Sequence, residues 1–192
     1  MLENMHPYKT LVYLGMFGSG LIFLFMAAAF IASQPDEEIY SQYNIPRSFV
    51  LSSIVLLIST YTASKILPSY VKDDTRKLKN FLLSTFLLGL CFTGLQFFGW
   101  MELSKMGIDF RGLPSGSFLY VLSGIHIFHL VGAMGFALML IIHVQKCSND
   151  HVKKLILLSN PYDRMRFQLF STYWKFMDFV WLFLFLLFIW MF

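Results

Sequence analysis

Residues 118–143 read FLYVLSGIHIFHLVGAMGFALMLIIH, an apolar run without a formal charge that carries His126 and His129 near its middle. A hydrocarbon core roughly 30 Å thick is crossed by about 20 mostly apolar helical residues, so this run is long enough to span a bilayer. Side chains three apart share a helix face, which aligns the two imidazoles with Leu122, Ala133 and Leu140. Ionisable groups at that depth face a bundle interior and pair with something. The candidate partner is Asp178, set among aromatics in YWKFMDFVWLFLF, residues 173–185. His126 lies ten residues from Gly116 and Asp178 eleven from Phe167. At 1.5 Å per residue each sits about 15 to 16 Å from its own membrane face, near the midplane if the two spans are antiparallel.

The composition agrees with this reading. Of 192 residues 57% are hydrophobic, 18% aromatic and only 14% charged, with a mean hydropathy of +0.62. A soluble domain carries about a quarter charged residues. The chain therefore reads as an all-α polytopic membrane protein, a single transmembrane domain over residues 1–192. The net charge of +4 is distributed by loop rather than along one face, so nucleic acid is not an expected partner. Cys91 and Cys147 form no CxxC or CxxCH pattern, which offers no disulfide, zinc or covalent haem signal.

Five spans are expected, at about residues 10–31, 48–67, 78–101, 117–143 and 167–191. The first has a signal peptide as its rival, but its apolar region exceeds the 7 to 15 residues of a signal core. Gly15 and Ser19 could let another helix approach closely. Residues 35–46, PDEEIYSQYNIP, read as a polar loop. The second span is rich in hydroxyls, Ser48, Ser52, Ser53, Ser59, Thr60, Thr62 and Ser64. Hydroxyls in lipid bond to their own helix or to a neighbour, which favours a position inside the bundle, with Ser52 and Ser53 as candidates. In the third span Thr85, Gly89 and Thr93 form a close-packing stripe, Gln96 is a candidate for hydrogen bonding within the bundle, and Glu102 reads as solvated. Residues 145–166 read as a basic loop, and His6, His143 and His151 sit at or beyond span ends.

Lys and Arg counts orient the chain. The amino-terminal segment and the loops after spans two and four hold eleven, against three on the other side, Arg47, Lys105 and Arg111. The expected topology has the amino terminus cytoplasmic and the carboxyl terminus outside. Lys175 lies within the last span, three residues from Asp178. A lone charge at the bilayer centre costs at least about 2.5 kcal/mol, so an ion pair of Lys175 and Asp178 extended to His126 and His129 is the economical arrangement. Bis-histidine haem ligation needs histidines on facing helices, and only the fourth span has them. A metal at His126 and His129 would need further ligands, Asp178 being one contributor. The expectation is a buried polar network, with no catalytic, metal or haem site in this chain. A small transporter and a membrane haem protein stay open as alternatives from other classes.

Three pieces, SGIHIFHLVGA (residues 123–133), YWKFMDFVWLFLF (173–185) and LLGLCFTGLQ (87–96), carry a resemblance to subunit III of haem-copper respiratory oxidases, the cytochrome c oxidase subunit III family, in its short five-helix form. The likeness covers nearly the whole chain. It implies a non-catalytic accessory subunit of the inner (cytoplasmic) membrane, packed on catalytic subunit I beside other oxidase subunits. Haem and copper would belong to those partners, with structural phospholipids bound to this chain. It also implies support of proton uptake and protection of the catalytic centre. A cytochrome c oxidase is the first expectation, the equivalent subunit of a quinol oxidase or nitric oxide reductase the second, and membership of a larger respiratory supercomplex stays open. On matching positions His126, His129 and Asp178 would belong to the family's buried polar network. Two departures stand out: Ser19-Gly20 where members often have Ser-Glu, and Lys175 where the last helix commonly has His.

Overall fold

A computed structural model of the protein describes residues 7–33, 46–108, 110, 114–148 and 150–191. Among these residues six helices follow one another: α1 Pro7–Ala32, α2 Arg47–Val71, α3 Thr75–Lys105, α4 Pro114–Ser148, α5 His151–Ser159 and α6 Pro161–Met191. Among the described residues there is no strand. All but α5 are long and apolar enough to cross a membrane, which makes the chain a multi-pass membrane protein. The expected loop at residues 35–46 lies outside the described residues apart from Pro46, as do Arg111 and His6.

Local chemistry sets the helix ends. Pro7, Pro114 and Pro161 open α1, α4 and α6, where a missing N–H would be unpaired anyway. Asp74 caps α3 by accepting from the Lys77 N–H at 3.0 Å, and that bond holds its carboxyl below the usual range. Asp150 caps α5 by accepting from Val152 at 2.9 Å. The α3 terminus closes with Ile108 N–H on the Leu103 carbonyl and Gly107 N–H on that of Ser104, both 3.1 Å. That turn needs the positive φ of +81° that Gly107 supplies.

Two findings differ from the sequence reading. The segment expected to be a basic loop at 145–166 contains α5 and the ends of α4 and α6. A nine-residue helix is too short for a membrane signal, and its apolar positions are interrupted by Lys153 and Lys154. Glu102 is not merely solvated: Ser48 donates to it from Oγ at 2.6 Å and from its backbone N–H at 3.5 Å. A carboxylate there meets the first turn of α2, where unpaired N–H groups and the helix dipole favour negative charge.

α6 is the common wall, packed against α1, α2 and α4, while α3 packs on α2 and α4. Phe30 meets Phe118 of α4 and Phe188 of α6, at ring separations of 6.3 and 5.9 Å. These contacts make α1 antiparallel to α4 and parallel to α6. One apolar core, with Leu56, Leu82, Phe92, Trp174 and Trp181, joins α2 through α6. A second, with Phe23, Phe30, Phe49, Leu122 and Leu184, brings in α1 at the other end.

Candidate functional site

The hydroxyls of α2 bond back to carbonyls of their own helix, as Ser52, Ser53, Ser64 and Ser69 do, and several also bond to neighbouring helices. Gln96 Nε2 of α3 donates to Ser52 at 2.7 Å, and Thr62 and Thr85 share a bond of 2.8 Å. From α6, Trp181 Nε1 donates to Ser53 at 3.0 Å, Trp174 Nε1 to Ser59 at 2.7 Å, and Ser171 to the Ala63 carbonyl at 2.9 Å. Thr60 Oγ1 donates to Asp178 Oδ2 at 2.6 Å. Each bond crosses between helices where water is scarce, so the ladder fixes the register of α2 against α3 and α6. Such membrane hydrogen bonds are modest singly, about 0.6 kcal/mol on average.

The four residues expected to form one network are not joined. Asp178 is buried but turns to Thr60 of α2. Lys175 is exposed on the outer side of α6 and forms no ion pair with Asp178. His126 is fully buried against Phe92 and Trp181, at 5.6 and 5.3 Å between ring centres, with Phe23 at 6.3 Å. Neither of its ring nitrogens has a hydrogen-bond partner among the described residues. His129 faces α1 instead, with Nε2 3.1 Å from Ser19 Oγ and Nδ1 2.8 Å from the Ile125 carbonyl.

Trp181, which touches His126, is one helical turn from Asp178, so imidazole and carboxyl lie within about 5 Å of one level. Azimuth separates them. Three residues turn a helix through about 300°, leaving neighbours on a stripe some 60° apart. That offset puts the Trp181 ring against His126, Asp178 toward α2 and Lys175 outward.

Sequence reasoning missed a second polar cluster, at the other end of α4. His143 Nε2 lies 3.2 Å from Asp163 Oδ1, Arg166 Nη1 is 3.5 Å from the same oxygen, and Asn160 Nδ2 donates to Oδ2 at 3.2 Å. Asp163 is buried in the first turn of α6, and His143 stands beside it rather than in solvent, its Nε2 close to the carboxylate but in no hydrogen bond among the described residues. The available signal was Asn160 and Arg166 flanking Asp163 at three-residue spacing. Between α1, α4 and α6 runs an open groove of about 620 Å³, walled by Gly15, Gly132 and Phe136, with Arg166 toward one end and His129 toward the other.

The described residues contain no group of three or more His, Cys, Asp or Glu placed to hold a metal ion. What the geometry provides is interhelical fastening and an apolar groove with polar ends. The model of the family described as cytochrome c oxidase subunit III matches residues 15–192. The chain belongs to the cytochrome c oxidase subunit III family. A "probable quinol oxidase subunit 3" of Staphylococcus aureus (strain USA300) is 28% identical over 137 residues, covering 71% of this chain and 63% of the relative. A protein of the same description from Staphylococcus haemolyticus (strain JCSC1435) matches with the same identity and coverage. The match thus spans less than two thirds of these relatives' length. Within this subunit III chain, the departure at Ser19-Gly20 has a structural counterpart: Ser19 meets His129, and a Cβ on Gly20 would lie 3.5 Å from Phe176.

The Thr60–Asp178 bond makes a sharp prediction. Thr60→Val should cost about 1–3 kcal/mol, because it orphans a buried carboxyl. Asp178→Leu should cost less, since it removes the need together with the bond, and the double variant should fall below the sum of the singles. Unfolding in mixed micelles by increasing dodecyl sulfate measures all three. Additive costs would mean that the two side chains do not interact.

Proposed function

We propose that this chain is the non-catalytic accessory subunit III of a haem-copper terminal oxidase, packed on the catalytic subunit in the cytoplasmic membrane. The single observation behind the reading is the family match over residues 15–192. The geometry is compatible with a scaffold: its buried hydroxyls, indoles and Asp178 are committed to cross-helix bonds. Haem and copper belong, on this reading, to partner subunits. The amino terminus lies on the cytoplasmic side, following the excess of Lys and Arg there. His126, His129 and Asp178 act as structural polar groups, each serving a different helix contact. The groove between α1, α4 and α6 suits a phospholipid acyl chain.

Two donors are compatible with an oxidase of this kind. Cytochrome c is the donor in the family's name, and a quinol is the donor for which the staphylococcal relatives are named. The test is purification of an affinity-tagged chain from native membranes. A haem-bearing catalytic subunit should copurify, the released chain should show no haem band in the visible, and oxidation of reduced cytochrome c or of a quinol by the complex assigns the donor. A haem band that stays with the released chain, or purification without any oxidase subunit, would overturn the proposal.

A further inference from the structure

α5 is amphipathic in an unusual direction. Its sequence, HVKKLILLS, places Val152, Leu155 and Ile156 on one stripe at i, i+3 and i+4. These are among the more exposed apolar side chains in the protein, at 65%, 69% and 58%. The opposite face is the one that packs inward: Leu157 is buried in the core with Tyr70 and Phe167. Tyr70 of α2 donates its hydroxyl to the Leu157 carbonyl at 2.8 Å and contacts that of Asn160 at 3.1 Å. Those bonds pin the carboxyl end of α5 to the bundle. Asp150 caps its start by accepting from the Val152 N–H, a bond internal to α5. Leu157 burial and the Tyr70 bonds set the rotation of α5, and the apolar stripe points away from the protein.

Position and charge identify what covers it. α5 is joined to the membrane-spanning α4 by residues 149–150 and to α6 by Asn160 alone, so it lies within about two helical turns of the expected span ends at residues 143 and 167. Lys153 borders the stripe and is exposed, Lys154 lies half-buried on the side nearer Leu157, and Lys146 and Arg164 stand at the adjoining helix ends. A short helix with an apolar face and basic flanks, held at this level, has the chemistry of an interfacial helix. Its apolar side chains sink about 5–10 Å into the headgroup boundary while lysines meet lipid phosphates. Near an anionic surface each Lys or Arg adds electrostatic attraction.

We propose that α5 is a membrane-interface anchor, whose Val152–Leu155–Ile156 stripe inserts into the leaflet at the α4 and α6 ends and whose lysines bind anionic phospholipid headgroups. The anchor restrains the α4–α6 connection and would hold the His143–Asp163–Arg166 cluster close to the lipid surface. This inference concerns the chain's own contact with lipid and does not rest on the identity of the electron donor.

The test places a nitroxide label at Leu155→Cys, in a Cys91→Ser/Cys147→Ser background. The full chain, in the complex in which it purifies, is reconstituted into nanodiscs of phosphatidylcholine alone or mixed with phosphatidylglycerol. Val152→Cys serves as a second site, and Lys146→Cys, at an exposed position of α4, as the water-facing comparison. Labels at Leu155 and Val152 should be relaxed more by oxygen than by a water-soluble nickel chelate, the reverse of Lys146. Phosphatidylglycerol should shift them deeper, and Lys153→Gln/Lys154→Gln should abolish that shift. Nickel access equal to that at Lys146 would mean the stripe faces water, and shielding from both reagents would mean another protein covers it. Either result overturns the proposal, and indifference to phosphatidylglycerol overturns its anionic part.

Discussion

Trp181→Ala is expected to destabilise the bundle by about 3–5 kcal/mol, the range for removing a fully buried indole without collapse of the cavity. Trp181 has no exposed surface and joins three helices: its ring meets Phe49 of α2, Phe92 of α3 and His126 of α4. Between helices in lipid the hydrophobic term is small, and close packing carries the association. Most of the loss should therefore come from lost contacts. The bond from Trp181 Nε1 to Ser53 is the lesser part, because such bonds average about 0.6 kcal/mol and reach about 1.7. Trp181→Phe separates the two, keeping an aromatic ring while deleting the donor, and should cost well under half as much. Dodecyl sulfate unfolding in mixed micelles reads both variants. Equal losses would show that the indole N–H, and not the packing, holds this level together.

Gly99→Ala should also be costly, although alanine is the better helix former by about 1 kcal/mol. A Cβ at Gly99 would overlap the Phe49 ring at Cε1 and Cδ1. Phe49 cannot easily withdraw, since it is fully buried and stands edge-on to Trp181 at 6.0 Å. Overpacking of this kind costs about 1–3 kcal/mol, which exceeds the gain in propensity. The net expectation is a loss, with α2 and α3 forced apart near the Ser48–Glu102 end. Phe49→Leu in the same chain should restore part of it by giving the new methyl room. A Gly99→Ala chain as stable as the parent, in the same unfolding assay, would show that this approach has slack. Because Phe49 touches Trp181, the Gly99 and Trp181 effects should not be additive.

These predictions differ in how far the sequence could have led to them. Hydroxyl enrichment in α2 pointed to a helix inside the bundle. Gln96 and Ser52 were candidates by type, and the structure pairs them at 2.7 Å. Counting residues from the membrane faces placed His126 and Asp178 at one level, and in the structure Trp181, one helical turn from Asp178, touches His126. The partners were less legible. Lys175 and Asp178 share a stripe, yet one is exposed and the other bonded to Thr60. His129 found Ser19, on a helix whose position beside α4 no periodicity announces. The short helix α5 was hidden because nine residues are too few to register against the basic residues around them.

Sequence alone determined the apolar spans and their lengths, and with them an expected depth for each polar residue, because bilayer thickness and helical rise are constants that convert residue number into height. It also carried the family likeness, in motifs short enough to be read directly. Only the tertiary structure decided which side chains meet. Pairing depends on each helix's rotation about its own axis and on which neighbour it faces, and both are settled by the packing of large residues such as Trp181, Phe49 and Phe30 against small ones. An error of one residue in height moves a side chain about 1.5 Å, whereas one residue in rotation turns it about 100°, toward a different helix altogether.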